Sequence, residues 1–124
     1  MDGKKIVLAI DDNIQQLNEF KSMLVPDYDL RVAKSASEAI SFLYKSRADL
    51  ILLDIEMPNI SGFEFLNDIR KIPSYMQTPV IIVSGNSEQD FLDKANSSSA
   101  SNVLIKPVKP DELINIIEKN FPAV

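Results

Sequence analysis

The sequence predicts an α/β fold in which five β-strands and five α-helices alternate along the chain. Five short apolar segments recur along the 124 residues, and several are continuous, as is typical of parallel strands covered on both faces. Segments with helical spacing lie between them, and Ser–x–x–acid patterns precede three of these segments. Such alternation favours a mostly parallel sheet with right-handed crossovers.

The five apolar segments are the predicted strands. They cover residues 5–10, 29–33, 49–53, 80–83 and 102–105. All are far shorter than the about 20 apolar residues that a bilayer-spanning helix needs. The first is also too short for the apolar core of a signal peptide, and two aspartates follow it at once. We therefore expect a cytoplasmic protein without a membrane segment.

Three of the intervening segments show one apolar face at helical spacing. These faces comprise Ile14, Leu17, Phe20 and Leu24 in the first, Ala36, Ala39, Ile40 and Leu43 in the second, and Leu113, Ile114, Ile117 and Phe121 in the last. An apolar stripe of this kind packs a helix against a core. The segments are therefore predicted to be helices that cover the sheet.

Short polar patterns indicate where helices begin. Three of them fit the capping box, namely Ser35 with Glu38, Ser61 with Glu64, and Ser87 with Asp90. Pro110, followed by two acidic residues, is typical of the first turn of a helix. The fourth helix is predicted to run from about residue 87 to 96 and to be short or frayed, because poor helix formers follow. Residues 97–101, which are rich in serine, are predicted to be a loop.

Length and composition restrict the chemistry. We expect one domain over residues 1–124, with no output domain after it. The chain has no cysteine and no histidine, which excludes disulfides, thiolate metal sites and a histidine general base. The net charge of −5 argues against nucleic-acid binding, which depends on contacts of Lys and Arg with phosphates. Carboxylates, hydroxyls, lysines and backbone groups remain available.

Polar side chains follow four of the predicted strands. They are Asp11 and Asp12 after the first, Asp54 after the third, Ser84 after the fourth, and Lys106 after the fifth. Taken singly, each is an ordinary turn, cap or loop residue. The carboxyl ends of parallel strands, however, meet at one edge of the sheet, where such folds have their functional crevice. We therefore expect these side chains to lie together.

Three carboxylates at one edge require a cation, because like charges a few ångströms apart repel strongly. A lysine supplies one positive charge, and Mg²⁺ suits a site that offers only oxygen ligands. A carboxylate can attack phosphorus to form an aspartyl phosphate, and metal and lysine can neutralise the phosphoryl oxygens. An ionised carboxylate needs no general base, so a chain without histidine can carry this chemistry.

The motifs together resemble the receiver domain of bacterial response regulators. They are the Asp11-Asp12 pair, Asp54 followed by Met57-Pro58 and Gly62, then Ser84-Gly85, and finally Lys106-Pro107. The resemblance runs from about residue 4 to 120. It implies a single flavodoxin-like, doubly wound parallel sheet with strand order 2-1-3-4-5. It also implies a two-component or phosphorelay signalling function.

The resemblance further implies roles for individual residues. Asp54 is the expected phosphorylation site, Lys106 pairs with the phosphoryl group, and the hydroxyl of Ser84 moves onto it. Mg²⁺ is held by Asp11, Asp12, Asp54 and the backbone carbonyl of Glu56. The Lys106-Pro107 bond is expected to be cis. The phosphoryl group comes from a histidine kinase or a histidine phosphotransfer protein. Output then proceeds through a downstream protein target or onward phosphotransfer.

The chain departs from the family pattern at several positions. Val103 stands where members often carry an aromatic residue whose rotation couples to the Ser/Thr shift, so that coupling is not expected here. Ser99-Ala100 replaces a Gly-Ala turn, which alters the expected output and dimer surface and favours a monomer. Glu56 and Asn86 occupy positions that tune the lifetime of the phosphoryl group. The sequence leaves open whether Glu56 orients water or repels it.

Three other functions compete with this interpretation. A haloacid-dehalogenase-type phosphatase also uses an aspartate nucleophile, but it has a second aspartate two residues later, where this chain has Glu56. A phosphorylation-independent receiver-like interaction module would typically lose the acidic pair, the aspartate or the lysine. A flavin-binding module would have a Gly-rich or Ser/Thr-rich turn after the first strand, where this chain has Asp-Asp-Asn. We therefore expect a phospho-acceptor that is not an enzyme acting on other substrates.

Overall fold

Strands and helices alternate throughout the computed structural model, which describes residues 3–58 and 60–121. The strands are β1 (Ile6–Ile10), β2 (Asp29–Ala33), β3 (Leu50–Asp54), β4 (Val80–Ser84) and β5 (Asn102–Ile105). The helices are α1 (Ile14–Leu24), α2 (Ala36–Lys45), α3 (Gly62–Lys71), α4 (Gln89–Asn96) and α5 (Pro110–Asn120), with a short 3₁₀ turn at Pro73–Tyr75. The predicted strands are all present, and three of them differ from the observed bounds by one residue.

The five strands form one parallel sheet in the order β2-β1-β3-β4-β5. This arrangement confirms the predicted α/β class and the strand order that the family resemblance implied. The order reverses between β1 and β3, because β2 lies on one side of β1 and all later strands lie on the other. A crevice at the carboxyl ends of the strands is expected at this position.

Alternate residues of each strand pack into two separate apolar layers. In β1, Leu8 and Ile10 face the layer beneath α2, α3 and α4, whereas Val7 and Ala9 face the layer beneath α1 and α5. Since side chains alternate across a strand, a strand covered on both faces must be apolar at nearly every position. This explains the continuous apolar segments. Both faces of the sheet, up to the strand ends, are therefore covered by packed apolar side chains.

Helix starts match two of the three predicted capping boxes. The hydroxyl of Ser35 accepts a hydrogen bond from the backbone N–H of Glu38 at 3.1 Å. That of Ser61 accepts one from the N–H of Glu64 at 3.4 Å. The predicted cap at Ser87 is wrong, because α4 begins at Gln89 with Glu88 in the capping position. Pro110 opens α5 as predicted.

The start of α4 shifts because side chains close the preceding turns. The hydroxyl of Ser84 accepts a hydrogen bond from the N–H of Asn86, and the side-chain oxygen of Asn86 accepts one from the N–H of Glu88. These turns compete with helical hydrogen bonding and delay the helix. As predicted, α4 is short, with eight residues, and residues 97–101 form a loop.

The serine-rich loop is tied to α3 by a guanidinium group. Arg70 donates hydrogen bonds to the carbonyl oxygens of Tyr75, Thr78 and Ser99 at 2.8, 2.6 and 2.8 Å. These contacts connect the end of α3, the segment before β4 and the segment before β5. None of the helices in the described ranges is long and apolar enough to cross a bilayer.

Candidate functional site

The polar residues singled out by the sequence converge at the carboxyl ends of four strands. Asp11 follows β1, Asp54 ends β3, Ser84 ends β4, and Lys106 follows β5. The strand register places Asp54 beside Val83 and Ser84 beside Ile105. Neighbouring strands therefore end at nearly the same level, and their last side chains meet at one edge. The prediction that these strand ends share one edge is confirmed.

Three carboxylates form a compact cluster at this edge. Asp11, Asp12 and Asp54 each offer an oxygen atom, and these atoms lie within 4.8 Å of one another. Asp11 and Asp54 are only 1% and 5% exposed, whereas Asp12 is open to solvent. Two buried anions and one exposed anion thus share a small space. This arrangement is costly without a cation.

Asp11 is held by one hydrogen bond and keeps one oxygen unpartnered. Its Oδ1 accepts the backbone N–H of Asn13 at 2.9 Å. Its Oδ2 is buried and has no hydrogen-bond partner among the described residues. Burial, assisted by the negative charge of Asp54, raises the pKa of Asp11 from 3.8 to about 6, although the Asn13 N–H and the charge of Lys106 oppose this shift.

The donor set fits a hard divalent cation. Oδ2 of Asp11, which has no hydrogen-bond partner within the described part of the chain, lies beside two further carboxylates, and all the candidate ligand atoms are oxygens. Mg²⁺ is commonly bound by one or two carboxylates together with water. A bound cation would also favour the ionised form of Asp11 and so oppose the effects of burial and of the Asp54 charge on its pKa.

Asp54 is held between a backbone amide and a lysine. Its Oδ1 accepts the N–H of Glu56 at 2.9 Å, and its Oδ2 lies 3.6 Å from Nζ of Lys106. The backbone N–H of Lys106 donates to the carbonyl of Ser84 at 2.7 Å, which fixes the start of the loop between β5 and α5. The Lys106-Pro107 bond is cis, as the family resemblance implied. Asp54 thus has one directed donor and one adjacent positive charge.

The hydroxyl of Ser84 is directed at Glu56. Ser84 is fully buried, and its Oγ donates to Oε2 of Glu56 at 2.9 Å. The backbone N–H of Gly85 donates to Oε1 of the same carboxylate, also at 2.9 Å. The Glu56 carboxylate therefore binds the end of β4 and lies outside the three-aspartate cluster. That the backbone carbonyl of Glu56 binds the metal ion stays a prediction.

Two further positions shape the site. Gly62 opens α3 against the preceding loop, and a Cβ there would lie 2.5 Å from the carbonyl oxygen of Ile55. Any larger residue would push α3 away from the loop that follows Asp54 and carries Glu56. Val103 is half-buried and packs against the apolar layer beneath α2, α3 and α4. It fills space there but has no ring that could rotate.

Sequence reasoning did not identify Asn13 as part of the site. Its side-chain oxygen accepts the backbone N–H of Gln16 at 3.2 Å and caps α1, while its own N–H binds Asp11. An asparagine directly before a segment with helical spacing is a recognisable capping signal. Asn13 therefore positions Asp11 by starting α1 at the correct residue.

Comparison with known families agrees with this geometry. A family model described as the response regulator receiver domain matches residues 7–118. The two-component response regulator ORR21 of Oryza sativa subsp. indica is 35% identical over 122 residues, which is 93% of this chain. The CAI-1 autoinducer sensor kinase/phosphatase CqsS of Vibrio cholerae is 31% identical over 112 residues, or 88% of this chain. This chain spans 17% and 16% of the length of these two relatives.

Solved structures show the same architecture. The chemotaxis protein CheY4 of Vibrio cholerae superposes with a TM-score of 0.87 at 27% identity, covering 94% of this chain and 98% of that one. A CheY-like receiver domain protein of Methanospirillum hungatei gives a TM-score of 0.83 at 25% identity, with 94% and 93% covered. The similarity thus extends over nearly the whole length of both compared structures.

Proposed function

Because the chain belongs to the response regulator receiver domain family, we propose that Asp54 accepts a phosphoryl group from a phosphohistidine. The donor is a histidine kinase or a histidine phosphotransfer protein. The observation that carries the proposal is the pairing of Asp54 with Lys106 at 3.6 Å beside Oδ2 of Asp11, a buried oxygen that no other described residue hydrogen-bonds. This combines a nucleophile, a cation for the phosphoryl oxygens and a ligand for a metal ion.

The transfer uses Asp54 as an ionised nucleophile. An oxygen of its carboxylate forms the new O–P bond as the P–N bond of the phosphohistidine breaks, and the electron pair of that bond stays on the imidazole nitrogen. Lys106 then faces the added negative charge, and its ammonium stabilises the phosphoryl oxygens. The N–H of Glu56 keeps the carboxylate oriented.

Asp11, Asp12 and Asp54 would hold the Mg²⁺ ion, together with the carbonyl of Glu56 that the family resemblance implies. When bound, the ion neutralises charge that develops on the transferring phosphoryl group. The chain itself contributes three clustered carboxylates, of which Asp11 and Asp54 are buried and Asp12 is exposed. The variant Asp12→Ala should weaken Mg²⁺ binding, measured by calorimetric titration.

We expect the signal to leave by contact with a downstream protein or by onward phosphotransfer. The α4–β5 region is the expected output surface, and Val103 excludes an aromatic rotation there. A monomer in the cytoplasm is the proposed working form, with no nucleic-acid partner and no other substrate. The net charge of −5 supports the absence of nucleic-acid binding.

The test is the intact mass after incubation with acetyl phosphate or phosphoramidate, with and without Mg²⁺. We expect a Mg²⁺-dependent gain of about 80 Da, one phosphoryl group, that is lost in Asp54→Asn. Asp68→Asn, which makes the same chemical change at an exposed position on α3, is the matched control and should still be labelled.

Labelling of Asp54→Asn at another residue would show that the site assignment is wrong. A wild-type protein that gains no mass with either donor and binds no Mg²⁺ would favour the alternative, a phosphorylation-independent interaction module.

A further inference from the structure

Glu56 connects the end of β3, where Asp54 lies, with the end of β4, where Ser84 lies. Its backbone N–H donates to Oδ1 of Asp54 at 2.9 Å. Its side chain extends to the next strand and accepts hydrogen bonds from the Ser84 hydroxyl and the Gly85 N–H, each at 2.9 Å. One carboxylate therefore takes two donors at the end of β4, directly beside the proposed phosphorylation site at the end of β3.

These two donors cannot serve a second anion at the same time. A hydroxyl has one proton to donate, and that of Ser84 is directed at Oε2 of Glu56. Its oxygen already accepts the N–H of Asn86 at 2.9 Å, which fixes the orientation of the group. The Gly85 amide likewise has one proton, and it is directed at Oε1 of Glu56. A phosphoryl group on Asp54 would find both donors already bonded.

Charge adds to this competition. Glu56 brings a fourth carboxylate to an edge that already holds those of Asp11, Asp12 and Asp54. The positive charge of Lys106 is paired with Asp54 and not with Glu56. A phosphoryl group adds roughly one and a half to two further negative charges near neutral pH. Glu56 would repel that group for as long as it stays bonded to the end of β4.

Glu56 is also able to leave. The residue is exposed, so its side chain can rotate into water without losing solvation. Ser84, in contrast, is fully buried and cannot find water in place of Glu56. Its hydroxyl would have to turn to another acceptor within the site. A phosphoryl oxygen on Asp54 would be such an acceptor.

We propose that Glu56 is a positioning residue that acts as a built-in anion in the unphosphorylated protein. It holds the Ser84 hydroxyl and the Gly85 amide until a phosphoryl group on Asp54 displaces it. The inference rests on the proposed phosphorylation of Asp54 and adds a competitor to that site.

The probe is beryllofluoride, an anion that mimics a phosphoryl group on a carboxylate. Its affinity is measured with Mg²⁺ present for the wild type, Glu56→Ala and Glu56→Gln. Both variants should bind beryllofluoride more tightly than the wild type, by about three- to tenfold, because the charged competitor is gone. Glu64→Gln removes the same charge from the exposed first turn of α3 and should leave the affinity unchanged.

A Ser84→Ala background tests whether the tighter binding of beryllofluoride arises at the donors that Glu56 holds, the Ser84 hydroxyl and the Gly85 N–H. In a Ser84→Ala background, Glu56→Ala should improve the affinity by a clearly smaller factor, because one contested donor is gone. The amide resonance of Gly85, recorded without beryllofluoride, should move upfield in Glu56→Ala. The chemical shift of the same Gly85 amide should also change when beryllofluoride is added to the wild type.

The outcomes separate the two proposals. If the wild type binds beryllofluoride but Glu56→Ala and Glu56→Gln bind no more tightly, Glu56 is only a structural link and the inference is overturned, while the proposed function stands. If neither the wild type nor any variant binds with Mg²⁺, the proposed function fails and this inference fails with it.

Discussion

The ammonium nitrogen of Lys106 lies 3.6 Å from Oδ2 of Asp54 and joins the ends of two strands that are not neighbours in the sheet. Strand β4 lies between β3 and β5, so the lysine side chain reaches across the end of β4, where Ser84 is located. The ion pair thereby brings three strand ends into one site. It depends on the lengths and register of all three strands.

The Lys106→Ala variant tests this ion pair. Without the ammonium, a phosphoryl mimic on Asp54 loses the cationic side chain that lies 3.6 Å from that carboxylate. We expect the affinity for beryllofluoride to fall about tenfold, which corresponds to about 1.4 kcal/mol. Lys109→Ala, at an exposed lysine just before α5, should keep the wild-type affinity. An equal loss in both variants would mean that only net charge matters.

The stability of the Mg²⁺-free protein should depend on pH through Asp11. Its pKa is raised from 3.8 to about 6, so the folded state binds this proton more tightly than the unfolded state does. The stabilising contribution of Asp11 is therefore complete below pH 3.8 and is lost as the pH rises through about 6. Relative to Asp11→Asn, the wild type should lose on the order of 1 kcal/mol between about pH 5 and about pH 7.

Urea unfolding in the presence of a chelator measures this difference. Mg²⁺ should restore stability to the wild type at about pH 7, because it binds the folded state. Identical pH dependence in the wild type and Asp11→Asn would contradict the raised pKa.

Gly62→Ala should destabilise the protein, although alanine normally favours a helix over glycine. The added Cβ would lie 2.5 Å from the carbonyl oxygen of Ile55, so α3 or the preceding loop must shift. We expect a loss of about 1–3 kcal/mol in the free energy of unfolding. The matched control is Gly85→Ala, whose Cβ would lie 3.6 Å from Oε1 of Glu56, an ordinary contact. A Gly62→Ala protein as stable as Gly85→Ala would show that this close approach is absent in solution.

Arg70→Met should loosen the serine-rich loop. The partly buried guanidinium, whose pKa is lowered by burial, donates to three carbonyls that would lose a charged partner. The free energy of unfolding should fall by about 2–3 kcal/mol, and amide exchange at residues 98–101 should accelerate. Arg47→Met, at an exposed arginine with one ion pair, should cost less than about 0.5 kcal/mol. Unchanged exchange at residues 98–101 would rule out this anchoring role.

The sequence determined the elements of this fold because each depends on local patterns. The strands are continuous apolar segments since both faces of the sheet are covered, and the observed bounds of β2 and β5 are those predicted. Ser35 and Ser61 cap helices as predicted, because their partners lie three residues away in the chain. The convergence of Asp11, Asp54 and Lys106 was also predictable, because parallel strands end at one edge.

The tertiary structure decided what depends on residues distant in the chain. One failed prediction has a local cause instead: Ser87 does not cap α4, because the side chains of Ser84 and Asn86, close by in the chain, shape the turns before that helix. Burial and the nearby charge of Asp54 set the pKa of Asp11. The direction of the Glu56 carboxylate follows from donors on another strand. Side-chain orientation and electrostatics at the site are therefore products of packing, which local sequence patterns do not encode.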